Sequence, residues 1–148
     1  MLLKLILSLM LLSFFHPPAN WNTDFEKAKT EARKTHKLIV LNFSGSDWCG
    51  PCIRMRKEIF EADAFQDYAE QKLVLVNADF PRLKKNQLSK EQTKLNESLA
   101  DKYNPEGKFP LTILFDDTGK VLKQWEGCPN ESPEKFVTEI NVFVDAAN

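Results

Sequence analysis

Apolar positions along the chain switch between helical and strand-like spacing, and the switches mark out the elements. Phe25, Ala28 and Ala32 share a helical face behind Thr23-Asp24-Phe25-Glu26, a capping-box pattern, and this helix should fade near His36. Leu38-Ile39-Val40-Leu41-Asn42-Phe43 is an almost continuous apolar run, as expected of a strand covered on both faces. Beyond Cys52, Ile53, Met55, Ile59 and Phe60 recur among charged residues, which predicts a helix that begins around Pro51 and continues past Glu61. Leu73-Val74-Leu75-Val76-Asn77-Ala78 is a second buried strand, so strand, helix and strand form a parallel crossover unit.

The pattern then loosens. Residues 81–96 carry five Lys/Arg and one Glu, and Ser89-Lys90-Glu91-Gln92 caps a helix with Leu95, Leu99 and Tyr103 on its apolar face. Leu111–Phe115 and Val121–Trp125 are strand-like runs on either side of Asp116-Asp117-Thr118-Gly119-Lys120, a hairpin signal. Ser132-Pro133 opens a last helix whose stripe is Phe136, Val137, Ile140, Phe143 and Val144. The predicted order is helix, strand, helix, strand, helix, two strands, helix.

At 148 residues and 43% hydrophobic content, one domain with a sizeable core accounts for the chain. A formal net charge of −1 argues against a nucleic-acid surface, which needs a concentrated basic excess. The segment before Trp21 has one lysine, an uncharged and mostly apolar run from Leu5 to Phe15, and then a polar, proline-containing stretch. We read residues 1–19 as an export signal and 20–148 as the folded domain. The run falls short of the ~20 apolar residues of a spanning helix, but Pro17 spoils the cleavage pattern ending at Ala19, so an uncleaved anchor is the alternative. Membrane association is expected only if this segment is retained. Export places the protein in an oxidising compartment, where three cysteines ordinarily mean one structural disulfide and a spare thiol.

Cys49 and Cys52 admit three readings. A zinc site needs four ligands, and the remaining stock is Cys128, His36 and His16, so no metal is assigned. A structural disulfide would close a very small loop and stabilise little. A redox couple explains more: at a helix N-terminus, free backbone N–H groups and the helix dipole favour a thiolate on Cys49, and Pro51 costs nothing there. Cys49 is then the attacking thiol and Cys52, one turn on, the resolving one.

Trp48-Cys49-Gly50-Pro51-Cys52 after an apolar strand, Phe109-Pro110 opening a later strand, and a hairpin ending at Gly127 together resemble the thioredoxin family. The match runs from about Trp21 to Ala147, and it is closer to exported thioredoxin-like proteins and the soluble domain of bacterial disulfide-interchange reductases than to cytoplasmic thioredoxin. The resemblance implies an α/β thioredoxin-like fold, a central mixed β-sheet flanked by helices. It implies a thiol-disulfide oxidoreductase in the periplasm or otherwise exported, with no cofactor beyond a redox-active Cys49–Cys52 disulfide. Its partners would be protein disulfide or dithiol substrates and an upstream electron donor. It implies a cis bond before Pro110, which faces the sulfurs, and a substrate groove of Trp48, Gly50, Pro51, Phe109, Pro110 and Gly127. The Gly-Pro pair matches the reducing members. An oxidase or isomerase running the exchange the other way is one alternative; a binding module with permanently oxidised cysteines is another.

One departure stands out. The family usually buries an acidic residue beneath the second cysteine, and the matching position here is Asn42, which takes no proton. Asp47 corresponds to a surface position, leaving water or a carboxylate such as Glu58 to accept the Cys52 proton. Cys128, next to Gly127, is read as an unpaired cysteine at the groove rim, and His36 as a surface residue compensating the helix dipole.

Overall fold

The computed structural model describes residues 18–146. Its strands are β1 (Trp21–Asn22), β2 (Leu38–Ser44), β3 (Leu73–Asp79), β4 (Leu111–Phe115) and β5 (Val121–Glu126). They form one sheet in the order β1-β3-β2-β4-β5, with β1, β3 and β2 parallel and β4 and β5 antiparallel to their neighbours. The helices are α1 (Phe25–Thr35), α2 (Gly50–Met55), α3 (Asp63–Lys72), α4 (Lys90–Tyr103) and α5 (Pro133–Ala146).

Both faces of the sheet are covered, which is why β2 reads as an almost continuous apolar run. On one face, Leu38 and Val40 pack with Met55, Phe65, Phe136 and Ile140 from α2, α3 and α5. On the other, Ile39, Leu41 and Phe43 pack with Phe25, Ala28 and Ala32 of α1, and Leu99 and Tyr103 of α4 close against them. The alternation places Asn42 on the face of Leu38 and Val40.

Helix caps differ from the sequence expectation at α1 and agree at α4. The α1 cap is Asp24, not Thr23: its carboxylate accepts from the amides of Glu26 and Lys27, at 3.0 and 3.1 Å. An Asp one residue nearer the helix outcompetes the hydroxyl, since it satisfies two free amides and also complements the dipole. α1 ends at His36 in the left-handed region, φ 54°. At α4 the Ser89 hydroxyl accepts from the Gln92 amide at 3.1 Å, as its pattern predicts. Leu95 is 46% exposed, against expectation, and Asn96 takes the buried place, donating to the Asp79 carbonyl at 2.9 Å.

The helix after Cys52 does not run on past Glu61. A π turn spans Arg56–Phe60, with the Glu61 amide reaching back to the Arg56 carbonyl at 2.8 Å, and α3 begins afresh at Asp63. The wide turn keeps the consecutive residues Ile59 and Phe60 both buried, a demand that tertiary packing makes and local spacing does not show. β1 was also not foreseen: two residues pair beside Leu75 and Val76, too short a segment to carry a period. The export segment predicted over 1–19 lies almost wholly outside the described residues. Among the described residues no helix is long and apolar enough to cross a membrane.

Candidate active site

β2 delivers the chain to the reactive turn and α2 carries it away. The Trp48 and Cys49 amides both turn back on the Gly45 carbonyl, at 3.3 and 2.9 Å. A Cβ on Gly45 would stand 2.3 Å from Trp48 Cε2, so only glycine lets the indole lie over this backbone. The sequence reading passed over Gly45. The indole is held at its polar end, Nε1 donating to the Phe80 carbonyl at 2.7 Å, and its ring meets the Phe109 ring edge-on at 5.5 Å.

Cys49 is the N-cap of α2, in extended backbone, and its sulfur accepts from the Cys52 amide at 3.2 Å. A thiolate or sulfur in this position does what a serine oxygen does at other N-caps. The helix starts one residue earlier than expected, at Gly50, and Pro51 still lies within the first turn, where amides have no intrahelical partner. Around Gly50 nothing approaches within 4 Å of an added Cβ.

Cys49 and Cys52 are joined in a disulfide with their Cα atoms 5.2 Å apart, and both are 5% exposed. Cys52 Sγ also accepts from the Gly45 amide at 3.5 Å. Beneath it lies a cavity of about 250 Å³ whose lining includes Asn42, Ser44, Asn77, Arg56 and Glu61. Across three strands Asn77, Asn42 and Thr112 sit in register as one polar rung. Thr112 Oγ1 donates to Asn42 Oδ1 at 3.1 Å, and Asn42 Nδ2 donates to Asn77 Oδ1 at 3.3 Å. Glu58, which with water is a candidate from sequence for the Cys52 proton, pairs with Arg54 at 3.6 Å; the carboxylate that lines the cavity is Glu61, itself 3.5 Å from Arg56.

The peptide bond between Phe109 and Pro110 is cis. The Pro110 carbonyl accepts from the Gly127 amide at 2.8 Å, which ties the entry of β4 to the end of β5. Gly127 has φ 75°, a conformation that glycine adopts without strain. Next to it Cys128 is a free, half-buried thiol that lies against the Arg54 guanidinium and raises its pKa.

Asp47, at the surface as the sequence suggests, ties a second segment to the site. The Asp47 carboxylate accepts from the Arg82 and Leu83 amides, both at 2.9 Å, and from Asn86 Nδ2 at 3.0 Å. These bonds, the Arg82 amide foremost, hold its pKa below the ordinary carboxylate value. Asp79, at the end of β3, accepts from the Ser44 and Ser46 hydroxyls and the Ser46 amide, pinning the start of the turn. Among the described residues, no group of three or more His, Cys, Asp or Glu is placed to hold a metal ion.

A mixed sheet with a helix springing from a Cys-Gly-Pro-Cys turn, and a cis proline just before β4, defines a thioredoxin-class domain. The profile of the thioredoxin-like domain family matches residues 25–142, and the chain belongs to that family. It is 37% identical over 98 residues to the disulfide bond reductase DsbH of Chlamydia pneumoniae, covering 66% of this chain and 57% of that one. It is 31% identical over 112 residues to the thioredoxin-related protein DsbJ of the same organism, covering 76% of this chain and 31% of that one. The matches therefore span less than two thirds of either relative. Among solved structures, a DsbH oxidoreductase superposes with a TM-score of 0.76 at 30% identity, covering 88% of this chain and 85% of that one. A thioredoxin from Thermus thermophilus gives 0.67 at 12% identity, covering 89% and 92%, which speaks for the fold alone.

Proposed function

We propose that this protein is an exported thiol-disulfide oxidoreductase that reduces disulfides of other exported proteins. The observation that carries this reading is Cys49 as the cap of α2, its sulfur bonded to Cys52 and accepting that residue's amide. In the reduced protein the same amide and the helix dipole favour a Cys49 thiolate. That thiolate attacks one sulfur of the substrate disulfide and expels the other as a thiolate, leaving a mixed disulfide. Cys52, having lost its proton, attacks Cys49 Sγ and expels the second substrate thiolate. Two electrons pass to the substrate, and the Cys49–Cys52 disulfide is the product form. An upstream dithiol donor must reduce it again.

The name of the DsbH relative agrees with the reducing direction, as does the Gly-Pro pair. Trp48, Gly50, Pro51, Phe109, Pro110 and Gly127 are the proposed substrate groove, with the Phe109 backbone pairing to an extended segment. Export rests on the apolar segment before Trp21, and its removal after Ala19 would leave 20–148 as the working domain.

Equilibration with glutathione buffers, read by alkylation of free thiols, tests the direction. A potential near thioredoxin's, about −270 mV, is expected; one above about −180 mV would make the protein an oxidant or isomerase. Cys52→Ala should trap mixed disulfides with client proteins through Cys49. Binding without covalent adducts would leave a scaffold that holds its partners and does not turn over.

A further inference from the structure

The segment between β3 and α4 is fastened to the reactive turn at two levels. Asp47, two residues before Cys49, anchors its backbone through the Arg82 and Leu83 amides. The Arg82 guanidinium lies 3.6 Å from the centre of the Trp48 ring, a stacked cation–π contact. A merely solvated loop would need neither contact.

What this strap presents is positive. Arg82, Lys84 and Lys85 are exposed, and among the described residues none is within ion-pair distance of a carboxylate. Leu83 between them is 47% exposed. Cations elsewhere around the groove are neutralised: Lys108 bridges Glu106 and Glu126 at 2.8 and 2.6 Å, and Arg54 pairs with Glu58. Around the groove, the cations without an ion pair therefore lie on the Trp48 side of the cysteine pair, beside the backbone-bonded carboxylate of Asp47.

We propose that residues 82–85 form a recognition lip that selects polypeptide substrates carrying acidic residues beside the cysteine attacked, with Leu83 as an apolar foothold. The proposal rests on the oxidoreductase reading above. It concerns rate more than equilibrium, because exposed charges steer encounter and set the orientation of a docked segment more than they add affinity.

The test uses the full reduced chain and two synthetic disulfide peptides that differ only in flanking residues, Asp/Glu in one and Lys/Arg in the other. Released thiol gives the second-order rate constants. At low salt the acidic peptide should react at least about fivefold faster, and the ratio should approach one near 1 M salt, where the screening length is about 3 Å. The double charge reversal Lys84→Glu, Lys85→Glu should bring the low-salt ratio to one or below, and a circular dichroism spectrum and melting temperature guard against misfolding. A ratio near one for the unaltered protein at low salt, or one that salt does not move, overturns the lip while leaving the reductase intact. If neither peptide is reduced, the oxidoreductase reading falls and the lip falls with it.

Discussion

Thr112 and Asn42 meet beneath the disulfide, the Thr112 hydroxyl donating to the Asn42 side-chain oxygen at 3.1 Å across adjacent strands. Asn42 is 6% exposed and passes the chain of bonds on to Asn77. This neutral rung stands at the position where the resemblance to thioredoxins implies a carboxylate, so none of its side chains takes the Cys52 proton, and the adjoining cavity is lined by Glu61.

Asn42→Asp should therefore add an ionisation that the natural protein lacks. Burial raises such a carboxyl's pKa, and its folded-state value then exceeds about 3.9, the unfolded one. Stability is fully retained below about pH 4 and declines as the pH rises toward the folded value. The cost at neutral pH should be about 1–3 kcal/mol by urea denaturation. The decay of the mixed disulfide, followed by stopped flow, should gain a new inflection above pH 5; a profile superimposable on the parent would mean the rung does not communicate with Cys52.

Gly45→Ala should dislodge the indole, since the new Cβ would meet Trp48 at 2.3 Å from Cε2. The expected loss is about 1–3 kcal/mol, together with the bond from Trp48 Nε1 to Phe80. Denaturation followed by tryptophan fluorescence measures both, and unchanged stability would show that the turn has room to give.

Asp47→Ala should release the strap. Its bonded amides at Arg82 and Leu83 should exchange with deuterium faster in the variant at neutral pH. The folded pKa of Asp47 is depressed, so in the parent the fastening holds above about pH 4 and loosens as the pH falls through the folded value. Equal exchange in parent and variant would dismiss Asp47 as the anchor.

Alkylation should distinguish the three thiols. In the oxidised protein only Cys128 should react. After reduction, the rate at Cys49 should have its midpoint below the ~8.5 of a free cysteine. A midpoint at the ordinary value would remove the thiolate from the mechanism.

The sheet and the reactive turn were legible because local signals there agree with the tertiary result. β2 and β3 are apolar runs long enough to be unmistakable, and the five residues from Trp48 to Cys52 carry their own helix start. What the sequence left hidden depends on neighbours far along the chain. The break at Glu61–Ala62 has no glycine or proline to announce it, and it follows from the need to bury Ile59 and Phe60 together. Asp47 looks like any surface carboxylate until residues 82–86 fold onto it. Leu95 and Asn96 exchange their expected places because Asp79, in another element, offers a carbonyl to the amide.

The π turn divides the structure behind the cysteines into two independently aimed pieces. Removing a single residue from 56–60 would let an ordinary helix form, turning everything downstream by about 100° and carrying Phe60 off its seat against Phe65 and Trp21. The surplus residue thus works as a spacer that sets the phase between the reactive turn and the aromatic seat of Phe60.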